Sequence, residues 1–133
     1  MITEDYVSFE TAKLLKEKGF DCTCKAWYSE YTSQFGGEKY TSIEFDNHNR
    51  FEENYKFICY VPTLQKAMKW LREMHNLEIY PFHDAFQECT TWWYRIEHYK
   101  KGCASVKDES DSIYGTYEQA CEAAIKYCLK NLI

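Results

Sequence analysis

Three stretches of the chain repeat apolar residues every three or four positions, which is the pattern of an amphipathic helix. In chain order they cover residues 9–18, 63–75 and 116–132. Each begins at a hydroxyl residue that can accept a hydrogen bond from the first turn: Ser8, Thr63 and Thr116. The pattern therefore predicts three helices, and Gly19 is placed to end the first of them.

The apolar positions within the helices predict which faces are buried. The predicted stripe of the second helix consists of Leu64, Ala67, Met68, Leu71 and Met74. The predicted stripe of the third helix consists of Tyr117, Ala120, Cys121, Ala124, Cys128 and Leu132. Gln119 stands three residues after Thr116, so this pair predicts a capping box at the start of the third helix.

Shorter stretches between the helices are rich in β-branched and aromatic residues, as strands are. The predicted strands are residues 22–31, 39–45, 77–82, 91–99 and 103–107. A turn at Gly36-Gly37 joins the first two as a hairpin, and Pro81 predicts an edge strand or the end of a strand. Residues 55–61 fit either a short strand or an irregular aromatic segment.

The order of these elements predicts an α+β fold in which an antiparallel β-sheet is packed by about three helices. The links between the strands over residues 77–107 are too short for parallel crossovers. The C-terminal half therefore has the order helix, strand, strand, strand, helix. Neither a linker nor an internal repeat interrupts the sequence, so we expect a single domain over residues 1–133.

The strand over residues 91–99 carries a candidate contact surface. Alternation assigns its side chains to two faces, with Trp92, Tyr94, Ile96 and His98 on one and Trp93, Arg95, Glu97 and Tyr99 on the other. An exposed tryptophan beside Tyr94 or Tyr99 can stack on a base, a sugar or a side chain of a partner. Core packing is the alternative, which small aromatic-rich domains favour. Lys100 and Lys101 follow the strand and can frame the surface.

An acidic segment with Asp108, Glu109 and Asp111 precedes the last helix, which adds Glu118 and Glu122. We expect the first three acids to lie in a solvated loop and to make at most a local contact with a basic partner. Their reversal to lysine is then expected to leave folding intact. With 21 acidic and 16 basic residues, the chain is too mildly acidic to imitate DNA over its whole surface.

The composition is globular, with 45% apolar and 18% aromatic residues and a net charge of −5. This charge argues against a broad basic face for nucleic acid. The first residues lack the basic head and apolar run of a secretion signal, and no stretch approaches the ~20 apolar residues of a membrane span. We therefore expect a cytoplasmic protein with no membrane partner, whose seven cysteines are reduced.

The cysteines and histidines form no recognisable catalytic or metal-binding motif. Cys22 and Cys24 make a Cys-x-Cys, but no second pair follows at zinc-site spacing, so ordinary thiols are expected. The histidines form no helical His-x-x-x-His or His-Glu-x-x-His pair; they are His48, His75, His83 and His98. The sequence therefore predicts no catalytic residue, no cofactor and no metal.

The element order over residues 62–132 resembles that of the double-stranded-RNA-binding domain. Alanines matching those of that domain's last helix are Ala120, Ala123 and Ala124. The resemblance implies a similar fold. That family places lysines at the start of this helix to hold phosphates, whereas this chain has Tyr117, Glu118 and Gln119 there. Because carboxylates repel phosphate, RNA binding is not implied for this chain.

Three segments carry a second resemblance: YVSFETAKLLKEKGF at 6–20, PTLQKAMKWLREMH at 62–75 and TYEQACEAAI at 116–125. They are similar to small uncharacterised proteins of Bacteroides-type gut bacteria, often encoded in phage or mobile-element regions. The segments bracket nearly the whole chain. The resemblance implies an accessory, non-housekeeping protein and carries no activity with it.

These features predict a small cytoplasmic accessory protein that acts as a non-enzymatic protein-binding or adaptor module. Its partner is an unknown protein or a second copy of the chain, and nucleic acid is not expected. Two alternatives stay open, namely single-strand nucleic-acid binding through exposed aromatics and an unrecognised Cys/His enzyme. The candidate contact residues are Trp92, Trp93, Tyr94, Tyr99, Lys100, Lys101, Asp108, Glu109 and Asp111.

Overall fold

The structure is a computed structural model that describes residues 3–33, 35–45, 55–83, 91–100, 103–110 and 113–133. These ranges contain three α-helices and two three-stranded antiparallel sheets, so the predicted α+β class is confirmed. Two compact units are present: an N-terminal unit, Ser8–Pro62, and a C-terminal unit, Met1–Val7 with Thr63–Ile133. That the chain forms a single domain stays a prediction.

The N-terminal unit consists of one helix and one sheet. Its elements are α1 (Phe9–Glu17), β1 (Ala26–Thr32), β2 (Lys39–Phe45) and β3 (Tyr55–Val61). The sheet order is β2-β1-β3, and both neighbours of β1 run antiparallel to it. The predicted hairpin is confirmed, and residues 55–61 form a strand rather than an irregular segment.

Helix α1 begins and ends where the sequence predicts. The Thr11 N–H donates a hydrogen bond to the Ser8 side chain at 3.2 Å, which is an N-cap. At the other end Gly19 has a φ of 96°, and the Phe20 N–H donates to the Leu15 carbonyl at 2.9 Å. This left-handed ending is the Schellman type of helix end, which favours glycine.

The first strand starts later than predicted. The sequence pattern favoured residues 22–31, whereas β1 is Ala26–Thr32, so Cys22 and Cys24 precede the strand. Phe20 and Cys24 are both buried in the irregular segment after α1. Burial of these two side chains, rather than strand alternation, explains the apolar residues of this segment.

The C-terminal unit has two helices and the second sheet. Its elements are α2 (Leu64–His75), β4 (Leu77–His83), β5 (Trp92–Lys100), β6 (Cys103–Glu109), α3 (Tyr117–Tyr127) and a π-helical turn (Cys128–Leu132). The sheet order is β4-β5-β6, all antiparallel. The predicted order helix, strand, strand, strand, helix is therefore confirmed, and β4 is an edge strand as Pro81 predicts.

One face of the second sheet forms the core with the two helices. The buried sheet residues are Leu77, Ile79, Tyr94 and Ile96. Helix α3 contacts β4 and β5, and helix α2 contacts β4 and α3. The stripe predicted for α2 is wrong at one position, because Met74 is 66% exposed while Trp70 is buried against the edge of the His75 ring.

The start of α3 differs in detail from the predicted capping box. The Gln119 N–H donates to the Thr116 hydroxyl at 3.1 Å, as expected for an N-cap. The Gln119 side-chain oxygen accepts from the Gly115 N–H at 3.0 Å instead of from Thr116. The cap therefore satisfies the backbone one residue further upstream than in a standard capping box.

Candidate functional site

The two faces of β5 have different environments, as alternation predicts. Trp92 lies edge-on to the rings of His83 and Tyr117, with centroids 5.3 and 5.4 Å away. Tyr94 is buried and stacks on Tyr114 at 6.2 Å. Tyr94 therefore belongs to the core, which is the alternative that the sequence left open, whereas Trp92 packs against other rings and remains partly exposed.

The opposite side of the second sheet bears a set of aromatic and charged side chains that we call the outer face. It consists of Glu78, Tyr80, Phe82, Trp93, Arg95, Glu97, Tyr99, Val106 and Glu109. The register places Phe82 opposite Trp93 and Tyr80 opposite Arg95. Tyr80 and Phe82 are 39% and 45% exposed. Aromatic rings from two strands thus share one accessible surface.

Hydrogen bonds organise the tyrosines of the outer face. The hydroxyls of Tyr80 and Tyr99 are hydrogen-bonded to each other, and the Tyr99 hydroxyl also donates to Glu97 at 3.5 Å. The bond with Tyr80, then desolvation and the nearby Glu97 carboxylate, raise the pKa of Tyr99 to about 12. Tyr99 therefore remains a neutral hydroxyl at physiological pH.

The charges of the outer face are paired with one another. Arg95 contacts Glu109 at 2.9 Å and Glu97 at 3.8 Å. At the edge of the face, Arg72 of α2 contacts Glu78 at 3.4 Å. Three carboxylates therefore stand on this face against the single guanidinium of Arg95. This balance leaves the face slightly acidic.

A depression of about 430 Å³ lies in the outer face, lined by Tyr80, Phe82, Arg95 and Glu97. Two aromatic rings form one part of its lining and an ion pair forms the other. Such a depression can receive an apolar or aromatic side chain while its polar groups fix orientation. Its described lining residues do not bring a nucleophile together with a base.

The acidic segment is placed differently from the prediction. Asp108 and Glu109 lie in strand β6, so the prediction of a solvated loop is wrong for both. Asp108 is half-buried and hydrogen-bonds the hydroxyl of Tyr94, and burial followed by this contact raises the pKa of Tyr94. Reversal of Asp108 to lysine is therefore expected to disturb the core. Glu109 belongs to the outer face with Arg95.

The remaining predicted contact residues divide between described and undescribed parts of the chain. Trp93 and Tyr99 lie on the outer face, as the sequence allowed. Lys100 ends β5, and its side chain lies outside the described part of the structure. Lys101 and Asp111 lie outside the described residues altogether.

Three buried cysteines, Cys59, Cys121 and Cys128, are poor nucleophiles at neutral pH. Burial raises the pKa of the Cys121 thiol to about 11 and that of Cys128 to about 12. Burial also raises the pKa of Cys59, although Lys16 and Lys13 oppose the effect. The thiolate is the reactive form, so a raised pKa lowers reactivity at neutral pH. Within the described ranges, no group of three His, Cys, Asp or Glu side chains is placed to hold a metal ion.

Tyr80 and Phe82 are not among the predicted site residues, although the sequence shows the pattern that places them together. Residues 78, 80 and 82 alternate with the apolar Leu77 and Ile79, which puts them on the face opposite the core. That alternation identifies a second aromatic strand. It does not show that this strand lies beside Trp93, because strand pairing depends on the fold.

The fold and site define an α+β protein with an accessible aromatic sheet face. No protein-family model, curated protein or solved structure matches the chain. The order of elements in the C-terminal unit agrees with the order implied by the resemblance to the double-stranded-RNA-binding domain. Glu118 stands in the first turn of α3, where that family uses lysines. No helix in the described ranges has the length and apolar character needed to cross a membrane.

Proposed function

We propose that this chain is a small, non-enzymatic accessory protein that binds another protein through the outer face of its C-terminal sheet. The observation that carries the proposal is a set of neighbouring aromatic residues from β4 and β5: the exposed Tyr80 and Phe82 beside the partly exposed Tyr99 and Trp93. Aromatic residues are the commonest anchors of protein interfaces because they bury large areas at a low entropic cost.

The arrangement of charge favours a protein over a nucleic acid. Stacking of single-stranded bases needs a basic groove beside the rings. On the outer face Arg95 is held by Glu109 and Glu97, and Glu78 adds a further carboxylate. Phosphates would be repelled there, so a partner surface with an apolar centre and a basic rim fits better.

An enzymatic role has less support. Cys59, Cys121 and Cys128 have raised pKa values, which keeps these thiols protonated at neutral pH. Among the residues that the structure describes, two rings and an ion pair line the depression on the outer face, and none of these is a typical nucleophile. A cytoplasmic location and an origin in a mobile element belong to the same proposal, and they rest on the sequence features alone.

Site-specific photo-crosslinking tests the contact surface. A photoreactive amino acid replaces Phe82 in the full chain, which is expressed in the cells that encode it. The control carries the same group in place of Met74, which is 66% exposed on α2. We expect a discrete protein adduct from position 82 and none of the same mass from position 74.

Point variants then measure how much the face contributes. Truncation of a hot-spot residue, commonly a tyrosine or tryptophan near the centre of an interface, costs about 2 kcal/mol or more, so Tyr80→Ser should lower capture of the adduct partner at least ~10-fold. Met74→Ser should leave capture unchanged. Equal capture by both folded variants would show that the outer face is not the contact surface. Micromolar oligonucleotide binding that is lost in Tyr80→Ser would favour the nucleic-acid alternative.

A further inference from the structure

The two edges of the C-terminal sheet each have a feature that hinders pairing with another strand. On β4, Pro81 has no N–H to donate. Tyr94 lies opposite Pro81, and its backbone N–H and C=O groups form hydrogen bonds with Ser110 on the other side of β5. Pro81 and Tyr94 are therefore a non-hydrogen-bonded pair, and the backbone of Pro81 points outward from the sheet. On β6, a bulge shifts the register, and consecutive charges occupy the strand end.

One edge of the N-terminal sheet is also hindered. The pairing of β3 with β1 shifts at a bulge that leaves Ile58 between the paired residues Phe57 and Cys59. The carbonyl of Ile58 already accepts a hydrogen bond from the Lys16 ammonium group at 2.6 Å. A bulge and a capped carbonyl both interrupt the regular row of backbone groups that a new strand needs.

Strand β2 differs from these three edges. It pairs with β1 over seven residues without a bulge, and it contains no proline or glycine. None of its seven residues is buried. Tyr40, Ile43 and Phe45 are among the exposed large apolar side chains. A regular edge strand with exposed apolar side chains is a template for pairing with a further strand.

The register identifies which backbone groups of β2 face outward. The Ser33 N–H donates to the Glu38 carbonyl at 2.7 Å, so these residues form a hydrogen-bonded pair. Hydrogen-bonded and non-hydrogen-bonded pairs alternate along an antiparallel ladder. The N–H and C=O groups of Lys39, Thr41 and Ile43 therefore point away from β1. No other strand within the described ranges pairs with that side of β2.

We propose that β2 is a self-association edge that pairs antiparallel with β2 of a second copy of this chain. The two-fold axis passes through Ser42, which meets its equivalent. Thr41 of each copy then lies opposite Ile43 of the other, in register to exchange backbone hydrogen bonds. The pairing joins two three-stranded sheets into one sheet of six strands.

The charges of the strand fit a second copy in this register. Glu44 lies opposite Tyr40, and Lys39 lies opposite Phe45, so no like charges face each other. Moving the register by two residues in one direction places Glu38 opposite Glu44, and directly opposed like charges destabilise a sheet. The strand is therefore complementary to itself in the register that uses its full length.

The side chains and the size of the contact also fit a symmetric dimer. Thr41 and Ile43 are both β-branched, and such pairs pack well across strands. A two-fold interface uses the same patch on both copies, as this one does. Two seven-residue strands bury less than the ~800 Å² per partner of a standard interface. We therefore expect a dissociation constant above ~1 μM for the dimer.

Sedimentation velocity of the full chain from about 10 μM to about 1 mM tests the proposal, because a weak dimer populates across this range. We expect reversible dimerisation. The variants T41K/I43K and T41E/I43E each place two like-charged pairs in the interface and should raise the dissociation constant at least ~10-fold. Mixed in equal amounts, they should form a heterodimer, because the same pairs then attract.

A crosslink tests the register independently of charge. In the proposed dimer Ser42 forms a non-hydrogen-bonded pair with its equivalent, at a Cα separation of about 4.5 Å that suits a disulfide. Mild oxidation of Ser42→Cys should give a covalent dimer, and the wild-type chain with its own seven cysteines is the control. Circular dichroism verifies that each variant is folded.

A wild-type chain that stays monomeric to about 1 mM would overturn the proposal, since even a weak edge dimer forms at that concentration. A dimer unaffected by T41K/I43K would overturn it as well. Tyr80→Ser on the outer face should leave the dimer intact, so self-association and capture of a partner by the outer face can fail separately.

Discussion

The two sheets of this protein have the same number of strands but different amounts of helical cover. The C-terminal sheet packs against α2 and α3, of 12 and 11 residues, and one of its faces is buried. Within the described residues of its own unit, the N-terminal sheet packs against one helix, α1, of nine residues, which contacts β3. A helix is about 10 Å wide and neighbouring strands lie about 4.8 Å apart. A helix centred near β3 therefore does not reach β2, two strands away.

This difference determines which surface each unit leaves accessible. In the C-terminal unit, two helices bury the β4 and β5 side chains of one face, and the opposite face remains as the outer face. In the N-terminal unit, the uncovered part is a whole edge strand, β2, in which every residue is exposed or partly exposed. A sheet face supports contacts through side chains, whereas an edge supports contacts through backbone hydrogen bonds.

The largest expected difference between the units concerns two isoleucines on the two sheets. Ile96 in β5 is 0% exposed, and Ile43 in β2 is 36% exposed. Ile96→Ala should lower the free energy of unfolding by about 2–5 kcal/mol through lost burial and a cavity. Ile43→Ala should cost less than about 1 kcal/mol. Urea denaturation at about 1 μM protein, where a weak dimer is dissociated, measures both.

Equal losses of unfolding free energy in Ile96→Ala and Ile43→Ala at about 1 μM protein would contradict the proposed difference between the two sheets. They would mean that β2 is covered in the monomer. A loss in Ile43→Ala that grows with protein concentration would instead report the proposed dimer. Ile125, also fully buried in the C-terminal unit, provides a second site for the large effect through Ile125→Ala.

The next effect is a dependence of stability on alkaline pH. The thiols of Cys121 and Cys128 have pKa values of about 11 and about 12 in the folded chain, against 9.0 for an ordinary thiol. Below pH 9 the thiols are protonated in both the folded and the unfolded state, so they do not lower the free energy of unfolding. As pH rises above 9, the unfolded state loses its protons first, so the free energy of unfolding falls until the folded pKa is passed.

Each such group contributes at most about 1.4 kcal/mol per pH unit to this decline. Cys128→Ala should make the decline between pH 9 and 10.5 shallower. Cys59→Ala in the N-terminal unit should change the slope less, because Lys16 and Lys13 oppose the burial effect there. Denaturation curves at several pH values give the slopes. If both variants changed the pH dependence of the free energy of unfolding equally, burial would not raise the thiol pKa more in the C-terminal unit than in the N-terminal unit.

Local sequence patterns predicted the helices and the faces of β5 well, because caps and alternation depend on near neighbours. The predictions that were wrong concern residues whose environment depends on parts of the chain that are distant in sequence. In the sequence, Asp108 has the character of a loop residue because it lies in a charged segment. In the structure, strand β6 continues through it, and its carboxylate accepts a hydrogen bond from the hydroxyl of Tyr94. On α2, Met74 and Trp70 both lie near the apolar stripe, and only packing against the sheet selects Trp70.

The sequence predicted only the part of the candidate site that lies on β5. The alternation of β5 identified Trp93 and Tyr99 as one face, but their neighbours Tyr80 and Phe82 come from β4. Which strands pair, and which face the helices cover, are tertiary properties that a single strand does not encode. The same reasoning applies to β2, whose exposure follows from the position of α1.

A smaller effect tests whether the two units unfold together. Ser8 caps α1 and Thr116 caps α3, each through a side-chain oxygen that accepts a backbone N–H. Ser8→Ala and Thr116→Ala should each lower the free energy of unfolding by about 1 kcal/mol. If the chain is a single domain, as we expect, each change shifts one cooperative transition. Hydrogen exchange that speeds up only around the altered helix would show separate unfolding of the units.

The smallest expected effect compares one ion pair from each sheet. In the C-terminal sheet, Arg95 approaches Glu109 with two nitrogens, Nε at 3.0 Å and an Nη at 2.9 Å, and the two residues are directly opposite each other. In the N-terminal sheet, Lys39 reaches Glu30 with a single nitrogen at 3.6 Å. Both pairs are substantially exposed, and exposed pairs contribute about 0–1 kcal/mol.

Geometry should decide the ranking of these two pairs. A planar guanidinium that meets a carboxylate through two N–H groups loses less freedom per bond than a flexible ammonium. Double-mutant cycles with Arg95→Gln and Glu109→Gln should therefore give a coupling free energy near 0.5–1 kcal/mol. Cycles with Lys39→Gln and Glu30→Gln should give about 0.3 kcal/mol or less, and added salt should reduce both. A larger coupling for Lys39 with Glu30 would mean that β2 is held more firmly in solution than its exposure implies.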